Sequence, residues 1–293
     1  MSSAHGGRRE REQHLALRVC DEYRLGTPRL IRRGSTALFD TGRVVVKVGP
    51  RGTWATSAAD IASLLDAAGI RTPAVRVVVD DPASGLAAVI LDRIEQSGPV
   101  DWSAVGDLVA RTHRLGIDRV GDVCFLPTCT AFGHWQFRDM LDSVIDVLDD
   151  RDRRILSAQV ESIGDWSHDA AVAAPVVCHG DVHPGNVLAS SGVMWMIDWD
   201  MICTAPAAWD HAALLTWEER WGGDPGLYTA FAEGYGADFR GDPLATTLAR
   251  GRLLAATLMR VRAGRDDASA AAEARRRLRY WRGEADPPVW RAM

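Results

Sequence analysis

Lysine is almost absent from this chain: Lys47 is the only one among 34 basic residues, and the other 33 are arginine. Cysteine is sparse and unpaired in pattern. The five residues Cys20, Cys124, Cys129, Cys178 and Cys203 are odd in number and include no C-x-x-C, which argues against a disulfide framework or a zinc site. No apolar run approaches the roughly 20 residues of a membrane span. Met1 to Gln13 is polar and lacks the apolar stretch of a signal peptide, so a cytoplasmic protein without a membrane partner is expected. Repeats and low-complexity linkers are missing as well. Excess positive charge is also lacking: the net charge is −5, and residues 101–200 alone sum to −9. That balance argues against a nucleic-acid partner.

What is present is an ordinary globular composition, 47% hydrophobic and 25% charged over 293 residues, long enough for a large core and two lobes. Residues 1–8 are expected to be disordered and Arg9 to Leu25 helical. Arg29–Arg33, Leu38–Asp40 and Val44–Val48 read as strands. A helix over Ala55–Ala68 places Ile61, Leu64 and Leu65 on one face, and Val75–Val79 with Ala87–Leu91 reads as a hairpin. From Trp102 onward the periodicity is helical apart from one hairpin near residue 190. Strands first and helices later predict an α+β fold. It would have a small five-stranded N-terminal lobe with one helix (1–94) and a larger, mainly helical lobe (95–293).

The densest chemistry lies in His179-Gly180-Asp181-Val182-His183-Pro184-Gly185-Asn186, followed by Ile197-Asp198-Trp199-Asp200. Pro184 and Gly185 force a turn. Val187-Leu188-Ala189 and Val193 to Ile197 then pair across Ser190-Ser191-Gly192. Asn186 and Asp198 fall at the open end of that hairpin, roughly 5–8 Å apart. An amide oxygen and a carboxylate at that spacing suit a hard cation such as Mg²⁺. Asp181 just upstream supplies a carboxylate that can orient a hydroxyl, as phosphoryl transfer requires. The alternating His179, Asp181 and His183 also fit a transition-metal site, a reading that leaves Asn186 and Asp198 unexplained.

H-G-D-x-H-x-x-N followed by I-D-W-D resembles the catalytic segment of the aminoglycoside phosphotransferase and choline kinase family, small-molecule kinases of protein-kinase-like fold. The resemblance covers roughly residues 28–260. It implies ATP or GTP and Mg²⁺ as cofactors, Asp181 as catalytic base, and Asn186 and Asp198 as metal ligands. It also implies that Lys47 holds the nucleotide phosphates beneath a loop of Gly34, Ser35 and Thr36, with the nucleotide cleft near Leu91, Asp92 and Ile94. Keeping a lone lysine in Val44-Val45-Val46-Lys47 accords with a compact charge for phosphate. His113 matches a helix-end histidine of the family, and Asp210 a Pro-x-x-x-Asp segment that braces the catalytic loop.

One departure concerns the acid that normally pairs with the lysine from the following helix. The expected position falls near Ala58, and the nearest acid, Asp60, lies two residues away, about 200° around the helix. Asp200 is a further candidate contact for metal or substrate. Trp217 and Trp221 are four residues apart beside Glu218 and Glu219, and could wall the substrate. The implied function is phosphorylation of a hydroxyl on a small molecule by a monomer or weak dimer. The arginine- and alanine-rich composition is actinomycete-like and favours an antibiotic acceptor of aminoglycoside, nucleoside or peptide type. A metabolic kinase of a sugar, amino alcohol or amino acid is the alternative. An inactive kinase-like binding protein is a third reading, which the presence of all four key residues disfavours.

Overall fold

The computed structural model describes residues 2–291, with side chains from residue 7 onward. The chain divides into two compact units. One comprises Met1–Val100, Ile117–Phe125 and Val187–Asp200; the other comprises Asp101–Gly116, Leu126–Asn186 and Met201–Met293.

The first unit is built on an antiparallel sheet of β1 (Arg29–Arg33), β2 (Ala37–Asp40), β3 (Val44–Pro50), β4 (Val75–Asp81) and β5 (Leu86–Asp92), in the order β1-β2-β3-β5-β4. The β-branched run in β3 supplies a strand buried on both faces. Helix α1 (Ser2–Glu22) covers one face, setting Leu15, Ala16, Val19 and Cys20 against Phe39, Val46, Val48, Leu86, Ala88 and Ile90. The backbone is therefore helical over residues 2–8, where disorder was expected, and Met1 lies outside the described residues. The polar segment has partners: Arg8 Nε donates to Glu12 at 2.8 Å, and Glu12 also pairs with Arg33 of β1. The small lobe thus carries more than the single helix foreseen.

The opposite face carries Val75, Val89 and Leu91 beneath Ala55 and Ala58. The expected helix over Ala55–Ala68 is broken at Ser57 into a single turn, Thr53–Thr56, and helix α2 (Ala58–Ala67). The hairpin of β7 (Val187–Ser190) and β8 (Val193–Met196) also belongs to this unit. Three bonds tie it there: Ser97 N to Ala189 O at 2.7 Å, Ala189 N to Gln96 Oε1 at 2.9 Å, and Met196 N to Arg71 O at 2.9 Å.

The second unit is helical around a two-stranded ribbon, β6 (Pro175–Cys178) with β9 (Cys203–Pro206). Neither strand was legible beforehand, because each is four residues long and lacks alternation. Helix α3 (Trp102–His113) packs closely on α6 (Leu227–Tyr235). A Cβ at Gly106 would fall 2.1 Å from Phe231 O, so the helices meet backbone to backbone. That contact delivers His113 and Tyr235 to one point. The aromatic core of Trp135, Phe137, Trp166 and Trp209 packs beside α7 (Pro243–Ala263) and α8 (Ala268–Trp281). The helical stretch after β9 is segmented into Ala208–His211, a 3₁₀ turn at Leu214–Thr216 and α5 (Trp217–Trp221). Helix α4 (Asp150–Ile163), capped by Asp149 on Asp152 N, completes the set used below.

Candidate active site

In the first unit, Lys47 sits mid-strand opposite Leu38 of β2 and Val89 of β5. The side chain is only 7% exposed, and a buried ammonium needs a counter-charge. It has two: Nζ lies 2.7 Å from Asp198 Oδ1 and 2.5 Å from Asp200 Oδ1, with the Trp54 ring 5.3 Å away. Asp198 reaches this position with φ +66°, a left-handed conformation that a non-glycine residue rarely adopts. Asp200 follows in a 3₁₀ turn, so the two carboxylates converge although they are not on a continuous strand. Burial raises the Asp200 carboxyl above its ordinary range; Lys47 pulls the other way, and the Asp198 charge adds to the rise. Two acids face one base, a formal excess of one negative charge.

An apolar cavity adjoins Lys47, lined by Trp54, Ala58, Ile61, Ala62, Leu65, Val75, Val89, Leu91 and the segment 197–200. Here α2 shows alanine and leucine where an acid was sought. Asp60 is exposed in the first turn of that helix and does not pair with Lys47, because Ile61, Leu64 and Leu65 fix the helix face turned to the core. Asp198 and Asp200 take the role offered to Asp60. Leu91 lines the cavity, whereas Asp92 is engaged by Arg76 at 2.6 Å and Ile94 is half-buried outside it. Gly34, Ser35 and Thr36 form the turn from β1 to β2, closed by Gly34 N to Thr36 O at 2.8 Å.

In the second unit, the segment after β6 is held from several sides. Asp210 is fully buried, and its carboxylate accepts from His179 N and Gly180 N at 2.8 Å each. His113 Nε2 lies 3.1 Å from the same carboxylate, and Tyr235 Oη lies 2.9 Å from His113 Nδ1. Burial alone would raise the Asp210 carboxyl, but His113, His179 and the Gly180 amide hold it below the usual range. Gly180 has φ +90°, and a Cβ there would sit 1.9 Å from Met201 O, so no other residue fits.

Asp181 projects from this braced turn with its side chain about one-third exposed (35%). His183 Nε2 lies 3.3 Å from Oδ2, Asn186 Nδ2 donates to Oδ2 at 3.2 Å, and Arg252 Nη1 donates to Oδ1 at 3.0 Å. Because His183 Nδ1 accepts from Gly185 N at 3.0 Å, the neutral imidazole carries its proton on Nε2, facing Asp181. Desolvation opposes ionisation of Asp181, yet His183, Arg252 and His179 hold its carboxyl far below the ordinary range. Asn186 is 2% exposed; its Nδ2 also donates to Asp181 O at 2.9 Å, and its Oδ1 has no hydrogen-bond partner. A buried amide oxygen left without a donor fits a cation ligand.

His183 stacks on Trp217 at 5.4 Å and 6°, and Trp217 stacks on Trp221 at 5.0 Å and 11°. Trp217 thus stacks with both rings and supports His183. Trp221 meets Trp290 and the Arg277 guanidinium. Glu218 accepts from Tyr228 N at 3.3 Å, and Glu219 is an exposed partner of Arg220. Among the described residues, one triplet alone brings His, Cys or acid ligand atoms within metal-binding reach, and it is His113, Cys178 and Asp210. The His179, Asp181 and His183 alternative does not assemble.

Two residues escaped the sequence reading. Arg252 of α7 reaches back 71 positions to Asp181, and half-buried His134 has its pKa pushed down to about 4 by burial and the Arg252 charge. Arg252 is one arginine among 33, and no local pattern marks it.

The sequence profile of the phosphotransferase enzyme family matches residues 32–254. The chain belongs to that family. Its enzyme class is accordingly small-molecule phosphotransferase. Solved structures of the same α+β kinase-like fold include spectinomycin phosphotransferase with ADP and spectinomycin (16% identity, 87% of this chain and 88% of that one, TM-score 0.61). Amicoumacin kinase with AMP-PNP and Ca²⁺ is another (12% identity, 87% and 88%, TM-score 0.64). A choline/ethanolamine kinase family protein from Mesorhizobium loti is a third (18% identity, 88% and 87%, TM-score 0.59). No match is found among curated protein sequences. Among the described residues no helix is long and apolar enough to cross a membrane.

Proposed function

We propose that the protein transfers the terminal phosphoryl group of ATP or GTP to a hydroxyl of a small molecule, with Mg²⁺ as cofactor. The proposed acceptor is an antibiotic of aminoglycoside, nucleoside or peptide type, handled in the cytoplasm. The observation that carries this reading is the catalytic loop, where a braced, ionised Asp181 adjoins the unbonded Oδ1 of buried Asn186. The residue roles are as follows. Asp181 accepts the hydrogen bond of the acceptor hydroxyl and aims its oxygen. With the carboxyl held so low, it is a weak proton acceptor, which suits a loose transition state in which the proton leaves late. Asn186 and Asp198 are the metal ligands, and Asp200 adds negative charge beside Asp198. When bound, Mg²⁺ supplies neutralisation of phosphate charge. Lys47 holds phosphate oxygens beneath the turn of Gly34, Ser35 and Thr36, with the base near Leu91. In this reading residues 1–94 serve the nucleotide and 95–293 the chemistry and acceptor.

The test is nucleoside-diphosphate release from ATP and from GTP, with and without Mg²⁺, across hydroxylated antibiotics, sugars, amino alcohols and amino acids. The reading expects Mg²⁺-dependent turnover of an antibiotic. Turnover confined to a sugar or amino alcohol would replace the antibiotic with a metabolic acceptor. Failure to bind either nucleotide would remove phosphoryl transfer altogether.

A further inference from the structure

The Asp181 carboxylate offers four lone-pair directions on two oxygens. Oδ2 accepts from Asn186 Nδ2 at 3.2 Å, with His183 Nε2 3.3 Å away. Oδ1 is committed once, to Arg252 Nη1 at 3.0 Å. Oδ1 keeps an open direction on a side chain that is 35% exposed. The Arg252 guanidinium is itself fixed. Its Nη2 donates to Gly180 O at 2.5 Å, its carbon lies 5.5 Å from the Trp209 ring centre, and its side chain is 14% exposed. Trp209 Nε1 donates to the same Gly180 carbonyl at 3.3 Å, so ring and guanidinium grip one peptide. A planar fork on a rigid helix therefore sets both the backbone before Asp181 and the rotation of its carboxylate.

We propose that Arg252 is a positioning residue for phosphoryl transfer: it locks the rotation of the Asp181 carboxylate so that Oδ1 is presented to the acceptor hydroxyl. This rests on the reading of Asp181 given above. Arg252 gives one N–H of Nη1 to the Asp181 carboxylate and one of Nη2 to the Gly180 carbonyl, and its Nε is buried without a partner. Its effect passes through Asp181. A hydroxyl aimed by a swivelling carboxylate spends less time in line with the phosphorus, so the loss appears in turnover rather than in nucleotide affinity.

The experiment is a double-mutant cycle of Arg252→Gln and Asp181→Asn, read by single-turnover phosphoryl transfer to whichever acceptor the panel identifies, with ADP binding by calorimetry alongside. Arg252→Gln lowers turnover about 10- to 100-fold, the range of a charge-assisted hydrogen bond, while ADP Kd stays within about twofold. Arg252→Lys recovers part of the loss, because an ammonium keeps the charge but cannot span both oxygens. In Asp181→Asn protein the same Arg252 change costs nothing further. An equal loss in both backgrounds would overturn the proposal and give Arg252 a direct contact with phosphate or acceptor. Unchanged turnover in Arg252→Gln would overturn it too. If Asp181→Asn alone leaves turnover intact, the catalytic reading itself fails, an outcome distinct from either. Thermal melts guard against misfolding, and Arg252→Lys carries the test if Arg252→Gln does not fold.

Discussion

The two units treat their central charged residue in opposite ways. Around Lys47, two carboxylates face one ammonium, the formal sum is negative, and the acids remain 33% and 25% exposed. Around Asp181, nearly every donor and acceptor is committed, from Asp210 under the backbone to Arg252 and His183 on the carboxylate. In the function proposed above, the first arrangement leaves charge for a cation and phosphates to satisfy. The second is preorganised, with an acceptor direction on Oδ1 and one amide oxygen left open. A transfer enzyme needs both, since its nucleotide and metal arrive and leave while the group that aims the hydroxyl must not wander.

Breaking the preorganised side should cost most. Asp210→Ala strips the partner from two buried amides and from His113. We expect about 3–5 kcal/mol of lost stability and no measurable turnover, read by chemical denaturation and nucleoside-diphosphate release. Retention of wild-type stability would show that the brace is dispensable. Asn186→Ala should raise the Mg²⁺ concentration for half-maximal rate at least about tenfold, the lower end for losing a metal contact, with folding intact. An unchanged Mg²⁺ dependence would contradict its assignment as a ligand.

On the adaptable side, Lys47→Ala should raise nucleotide KM about tenfold, as loss of one charged phosphate contact implies, visible in steady-state kinetics. Equal turnover and KM in wild type and variant would count against the phosphate role. Asp60→Ala should do nothing beyond about twofold on any kinetic constant, an effect below ~0.5 kcal/mol, because Asp60 is exposed and Lys47 is already paired.

The helical unit should also show acid sensitivity. His211 is fully buried with Nε2 unbonded; burial and the His113 charge push its pKa down to about 3. His134 is pushed down to about 4. A depressed histidine costs stability as soon as the unfolded chain can take its proton. Stability is therefore greatest above about pH 6.5 and falls toward pH 3–4, reaching a few kcal/mol on the order-of-magnitude scale of the linkage. Denaturation at pH 7.5, 6 and 5 would reveal the slope, and His211→Gln should flatten it.

Much of this was readable in the chain, for identifiable reasons. The sheet follows from β-branched runs broken by turn residues, and Arg29–Arg33 forms as expected. Asp181, Asn186 and Asp198 fall within 18 positions, so the sequence marked them as one candidate group. Lys47 stood out by being the only lysine. What stayed hidden depends on tertiary contact. Arg252 is ordinary on a helix surface until α7 packs. The pairing of Lys47 with Asp200 spans 153 positions. Trp217 and Trp221 had the spacing of a wall, and the stack of His183 on Trp217 appears only in the folded chain.

The central claim is that Asp181 aims the acceptor and does not hold the nucleotide. It is tested most directly by comparing Asp181→Asn with wild type in two assays, ADP binding and phosphoryl transfer. The account predicts turnover reduced at least about 10²–10⁴-fold, the range of a positioned acid or base, with ADP Kd nearly unchanged. Preserved turnover, or turnover lost only in proportion to nucleotide affinity, would contradict it.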